Sequence, residues 1–182
     1  DVTRDHDAVA AAREEARLDP LTGLLNRRAA ETVLADHLRP VSGRTAMLAV
    51  LDLDDFKQVN DRFGHVVGDR ALRVIAERLV RSLREGDHVA RFGGDEFVAV
   101  IPAMDDFAQA HELAERMRRA VEMPLQIDRI DLVLRCSIGV TLLDGTHANP
   151  ETALAIADRR MYRDKGLRML TAARHPTHRQ PV

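Results

Sequence analysis

Two groups of carboxylates stand at the ends of apolar runs: Asp52, Asp54 and Asp55 in DLDDF, and Asp95 and Glu96 in RFGGDEF. Paired carboxylates suit hard divalent cations such as Mg2+ or Mn2+, which prefer oxygen ligands. With a phosphate ester on that metal they form a phosphoryl-transfer site, where an attacking hydroxyl is activated and the leaving oxygens of an in-line displacement are stabilised. Asp52 and Asp54 share a face if their strand persists, and strand ends are where site residues project from a buried sheet. DLDDF taken alone reads more readily as acids solvating the exit of a strand. The chemistry requires the strand bearing Asp52 to lie beside the hairpin bearing Asp95.

Gly93 and Gly94 fit the central positions of a two-residue hairpin, where positive φ favours glycine. Alternation then sends Asp95 and Glu96 to opposite faces. Other metal chemistries are excluded by spacing. An EF-hand loop fails because Lys57 replaces its glycine and Phe63 its bidentate Glu. HELAE, His111 to Glu115, ends in Glu where a zinc-protease helix needs His, so it is helix surface.

These groups need a scaffold, and 182 residues suffice for about one domain. The chain is 45% hydrophobic but 3% aromatic without Trp, so the core is built from Leu, Val, Ile, Ala and Met. A net charge of -2 argues against nucleic-acid binding by phosphate neutralisation and leaves a small anionic ligand open. Cys136, the only cysteine, sits in the apolar LVLRCSIGV and reads as a buried thiol in a reducing compartment. No run approaches the roughly 18 apolar residues of a membrane span, and no signal peptide is evident. The expected location is cytoplasmic, without direct membrane contact. The chain does not begin with Met, which suggests a piece of a longer protein with an upstream sensory part and room for a membrane anchor.

Residues 1–18 have Val9, Ala12 and Ala16 at helical spacing, either as a solvated helix or as a signalling connector that pairs with a second copy. Asp19 and Pro20 end it. Asn26 caps a helix over NRRAAETVLADHL, AMLAVLDLDDF is a strand, and GDRALRVIAERLVRSL has a helical stripe. HVARF and DEFVAVI flank the glycines. A helix over about 106–121 follows, then the strand-like runs LQI and DLVLRCSIGVTLL, then a helix over about 150–164. The tail, 171–182, has little to bury and reads as disordered. The order predicts an α+β domain with a partly antiparallel sheet flanked by helices.

The motifs DPLTGLLNRR, DLDDFKQVNDRFGHVVGD, RFGGDEF, CSIGV and ADRRMYRDK occur in one order between about Asp19 and Lys165. Together they resemble the GGDEF family, the diguanylate cyclases, with the catalytic domain spanning 19–170. The resemblance implies a ferredoxin-like βαββαβ palm and condensation of two GTP into cyclic di-GMP with release of two pyrophosphates, in a homodimer. It implies Mg2+ (or Mn2+) on Asp52, Asp95 and the Leu53 carbonyl, with Glu96 taking the 3′-hydroxyl proton or supporting the metals. Asn60 and Asp69 match the guanine readers. Lys57 and Lys165 match phosphate contacts, with backbone N–H groups near Asp55 and Phe56. Gly93 and Gly94 let the triphosphate approach.

REGD, Arg84 to Asp87, ends five residues before Gly93, which is the placement of the family's RxxD product-inhibition site. Arg116 is a candidate second contact for the cyclic di-GMP inhibitor. The chain departs from the pattern near its end. Arg160 stands where a small residue is usual, and DKGLRML replaces an AKxxGRN-like sequence, leaving Arg168 one residue out of register. The alternative to an active enzyme is a silent GGDEF module serving as a receptor for cyclic di-GMP or GTP.

Overall fold

The computed structural model describes residues 17–40 and 44–174, with side chains through 170. Its elements are β1 (Leu25–Asn26), α1 (Arg27–Asp36), β2 (Thr45–Asp54), α2 (Phe56–Phe63), α3 (His65–Arg81), β3 (His88–Gly93), β4 (Glu96–Met104), α4 (Phe107–Glu122), β5 (Leu125–Ile127), β6 (Ile130–Leu132), β7 (Arg135–Leu143) and α5 (Pro150–Arg174). The main sheet has the order β1-β3-β4-β2-β7, antiparallel except for the parallel β1–β3 pair, and β5–β6 form a separate ribbon. From β2 onward this is the βαββαβ order of a ferredoxin-like palm, so the α+β expectation holds.

β2 is buried on both faces, which is why AMLAVL lacks alternation. Met47, Ala49, Leu51 and Leu53 pack with Ile75 and Leu79 of α3 and Leu113 and Met117 of α4. Leu48 and Val50 pack with Val33 and Leu34 of α1 and Ala157 and Met161 of α5. The even-numbered residues of β2 therefore face α5, and Asp52 and Asp54 extend that face beyond the apolar part. The Asn26 cap acts as expected, its Oδ1 accepting from Ala29 N–H at 3.0 Å, and in the same way Asp106 Oδ1 accepts from Gln109 N–H at 2.8 Å. α4 stops before Pro124, where Arg78 of α3 donates to the Met123 carbonyl at 2.5 Å.

Several boundaries differ from the sequence reading. FKQVNDRF forms its own helix, α2, broken from α3 by Gly64 at φ 84°. The run after LQI divides into β6 and β7. α5 continues to Arg174, ten residues past its expected end, so residues 171–174 are helical and not tail. The connector over 1–18 lies outside the described residues except for Arg17 and Leu18, and 175–182 lie outside them too. Cys136 is fully buried, and desolvation pushes its thiol pKa well up, as expected of an inert thiol. Among the described residues no helix is long and apolar enough to cross a membrane.

Candidate active site

The register of the central strands brings the two acidic groups together. Asp52 is the cross-strand partner of Glu96, and Leu53 N–H donates to the Asp95 carbonyl at 3.2 Å. The tip of β2 is thus bonded to the hairpin turn. That turn differs from the expected one: Gly93 pairs with Glu96, so Gly94 and Asp95 are its central residues. The register shift between Arg91 and Gly93 leaves Phe92 as a bulge, which moves the turn one residue on. Both glycines still have positive φ, 139° and 53°. Asp95 lies in the turn, so strand alternation does not govern it, and Asp52 acts electrostatically on both Asp95 and Glu96.

Burial first, then the Asp52 charge, push the Asp95 pKa up; Glu96 is raised by the same two causes, with Asp158 adding to them. Against this crowding of negative charge stands Lys165 of α5, whose Nζ is 2.5 Å from Asp52 Oδ1 and 3.9 Å from Asp54 Oδ1. Burial works to lower the Lys165 pKa, but the Asp52 hydrogen bond and charge outweigh it and hold the ammonium above its ordinary value. Asp54 also accepts from Ser137 Oγ at 2.7 Å. Glu96 opens onto a cleft of about 730 Å³ between α1, α5 and the sheet, walled by Phe92, Val98 and Leu154.

The guanine-reading candidates meet at the α2–α3 junction. Asn60 of α2 lies over Gly68 of α3 so closely that a Cβ there would be 1.9 Å from Asn60 Oδ1. Asp69 is the next residue, and it is exposed. Lys57 is exposed in the first turn of α2. Asp55 precedes it in the left-handed region at φ 57°, while Phe56 is buried in the core. A left-handed residue opening a right-handed helix turns successive N–H groups to one side, a concavity suited to anions.

Arg84, Asp87 and Arg116 surround the end of α3. Asp87 accepts from Arg84 N–H at 2.9 Å and returns a backbone bond at 3.1 Å, so the motif is a closed turn. Arg84 and Asp87 line a small pocket of about 250 Å³ with Leu83 and His88. Arg116 reaches this corner from α4, donating to the Ser82 carbonyl at 2.9 Å.

Sequence reasoning missed three positioning residues. Arg91 donates from Nε and Nη2 to the Gly94 carbonyl at 3.0 and 2.8 Å, and from Nη1 to Asp19 at 3.2 Å, tying DPLTG to the turn. Asp19 also accepts from Thr22 N–H and Oγ1 at 2.9 and 2.6 Å. Burial alone would raise its pKa, but the Thr22 and Arg91 hydrogen bonds prevail and lower it. The Asp19 to Thr22 spacing is a visible turn signal; the Arg91 partnership, 72 residues apart, is not. Gly68, the third, carries no local signal at all.

The chain matches the family model for "Diguanylate cyclase, GGDEF domain" over residues 16–169, and it belongs to the GGDEF family. It is 40% identical over 163 residues to diguanylate cyclase DgcP of Pseudomonas aeruginosa, covering 88% of this chain and 24% of that protein. It is also 40% identical to the cyclic di-GMP phosphodiesterase NbdA of the same organism, over 88% of this chain and 21% of that protein. The chain thus spans about a quarter of the length of these relatives. A crystal structure of a sensory box/GGDEF family protein from Caulobacter crescentus superposes with a TM-score of 0.77 at 38% identity, covering 82% of this chain and 98% of that one.

Proposed function

We propose that this domain is a diguanylate cyclase, which condenses two GTP into cyclic di-GMP and two pyrophosphates. The observation that supports it most directly is the junction of Leu53 N–H with the Asp95 carbonyl, which sets Asp52 and Asp95 side by side at the tip of β2. The 3′-oxygen of one GTP attacks the α-phosphorus of the other; a P–O bond forms, the bond to pyrophosphate breaks, and the hydroxyl proton passes to a base. Glu96 suits that role because its raised pKa favours holding a proton. The same step in the opposite sense closes the ring. One subunit cannot present two GTP to each other, so the active form is a homodimer.

The donors fit a divalent ion. Among the described residues no three His, Cys, Asp or Glu side chains form a ligand set, but Mg2+ is commonly held by one or two carboxylates plus substrate phosphates. Asp52 and Asp95 would hold it, helped by the Leu53 carbonyl, and bound Mg2+ or Mn2+ would neutralise charge on the transferring phosphoryl group. The N–H groups after Asp55, with Lys57 and Lys165, bind the triphosphate. Asn60 and Asp69 read guanine, since a carboxylate accepts from N1–H and the exocyclic amine while an amide both donates and accepts. Arg84, Asp87 and Arg116 bind the product as inhibitor. The domain works in the cytoplasm, under a sensory segment elsewhere on the longer protein.

A receptor without turnover is the second reading, favoured by Arg168, whose guanidinium is already engaged by Glu122 and faces Asp54 Oδ2 at 3.9 Å. The two readings separate in one assay: the chain is stripped of bound nucleotide, incubated with GTP and Mg2+ across a dilution series, and titrated with cyclic di-GMP in parallel. The cyclase reading expects product, specific activity rising with protein concentration, and no product from Asp95→Ala. Cyclic di-GMP binding with no turnover at any concentration selects the receptor.

A further inference from the structure

Arg160, Asp164 and Arg168, where this chain leaves the family pattern, all lie along the open edge of β7. Among the described residues β7 pairs only with β2, and no described strand meets the outward backbone groups of Cys136, Ile138 and Val140. Charged side chains take their place. Arg118 of α4 donates from Nη1 to the Cys136 carbonyl at 2.8 Å. Asp164 of α5 accepts from Ile138 N–H at 3.0 Å. Arg160 donates to the Val140 carbonyl at 2.6 Å. Arg118 Nη2 and Asp164 Oδ2 are themselves joined at 2.9 Å, and Arg168 pairs with Glu122 just beyond.

Arg118 comes from one helical layer and Asp164 from the other, so their ion pair closes the sheet edge between them. Arg118 as a residue is only 9% exposed, and a charge so buried is tolerated because its donors meet acceptors. Asp164 immediately precedes Lys165, whose ammonium contacts Asp52. We propose that Arg118 and Asp164 are positioning residues, which fix α5 on the edge of β7 and thereby deliver Lys165 to the Asp52 end of the site. The pair touches neither nucleotide nor reacting atoms. The consequence for nucleotide binding rests on the cyclase reading; the positioning of Lys165 does not.

Lys57 and Lys165 are the only lysines in the chain, so amine acylation followed by mass spectrometry reads Lys165 with Lys57 as internal reference. Lys165 of the wild type is expected to react more slowly than Lys57, and Asp164→Ala and Arg118→Met to raise the Lys165:Lys57 ratio severalfold. Asp164→Asn keeps an acceptor for Ile138 N–H, so it remains folded if Asp164→Ala does not, and is expected to give an intermediate ratio. The exchange Arg118→Asp with Asp164→Arg keeps the ion pair but sets acceptor against carbonyl and donor against N–H, so it should not restore protection. A ratio unchanged in folded Asp164→Asn and Arg118→Met, or restored by the exchange, overturns the proposal.

Titration with α,β-methylene GTP adds a second arm. Asp164→Ala should weaken binding about tenfold, mid-range for coupled neighbours, and this loss should vanish in a Lys165→Ala background. Additive losses overturn the proposal. A wild type that binds no nucleotide removes the cyclase reading, and the labelling ratio then decides the positioning claim alone.

Discussion

At Gly139 of β7 the sheet and α5 approach closely, and adding one methyl group there tests how the site is held. A Cβ on Gly139 would be 2.0 Å from the Ala157 carbonyl oxygen, 2.3 Å from Met161 N and 2.9 Å from Met161 Cα, while ordinary contact starts near 3.4 Å. All three atoms are helix backbone, so no side chain can rotate away. Gly139→Ala therefore requires α5 to move outward by roughly 1.4 Å, the shortfall at the tightest contact. Overpacking that forces a backbone shift costs about 1–3 kcal/mol, and the upper end applies where both partners are backbone. At about 2–4 °C per kcal/mol for a chain of this size, a loss of about 3 kcal/mol lowers the melting temperature by about 6–12 °C. The same movement carries Lys165 away from Asp52, a contact of 2.5 Å that does not survive a shift of that size. For an active cyclase, misplacement on this scale costs about a hundredfold in turnover. Calorimetry and GTP turnover on the two proteins provide the measurement. A melting temperature within about 2 °C of the wild type, on the same slope, would refute the reasoning.

The other expectations are simpler. Gly68→Ala meets an equally short contact, 1.9 Å, but with the amide end of Asn60; that side chain can swing aside, and Ala favours helix by about 1 kcal/mol over Gly. Its melting temperature should hold or rise while GTP affinity falls, and loss of both stability and binding would contradict the Asn60 placement. Asp95→Asn should melt higher than the wild type at pH 7, without metal, and make no product. The Asp95 pKa is raised, so its contribution to stability is full below its ordinary value of 3.8 and is lost as pH rises through the raised one; the advantage of Asn should therefore disappear below pH 3.8. Asp19 titrates in the opposite sense, its contribution present above 3.8 and lost as pH falls through its lowered pKa. Arg84→Ala should relieve product inhibition with little change in the GTP KM, and inhibition equal to the wild type would remove the assignment of the RxxD turn.

What could be read in the sequence was governed by short-range rules. Asn26 caps its helix because a side-chain oxygen three residues back satisfies an orphan N–H. The β2 run is apolar throughout because both faces are covered, and its acids begin where the cover ends. The bulge at Phe92 escaped because a one-residue shift depends on cross-strand pairing, and the same two glycines fit either register. α5 passed its expected end because DKGLRMLTAAR has neither cap nor breaker beyond one glycine, so composition alone could not place the stop.

The residues least legible are those whose requirement is set by distant chain. Gly68 and Gly139 sit inside regular elements at ordinary φ, where local rules count glycine as a fault. Each is required by an atom at least eight positions away, the Asn60 amide for one and the backbone at Ala157 for the other. Arg118 follows the same logic: on its own helix it is a cation at a core position with Glu115 to take its Nε, and its two other nitrogens find acceptors in the Cys136 carbonyl of β7 and Asp164 of α5. Arg160, Asp164 and Arg168 look like erosion of a motif when read along the chain. Read across the sheet edge, each takes a partner on β7 or α4. A departure from a family pattern is therefore evidence of lost function only after its new partners have been excluded, and here the partners converge on the helix that presents Lys165.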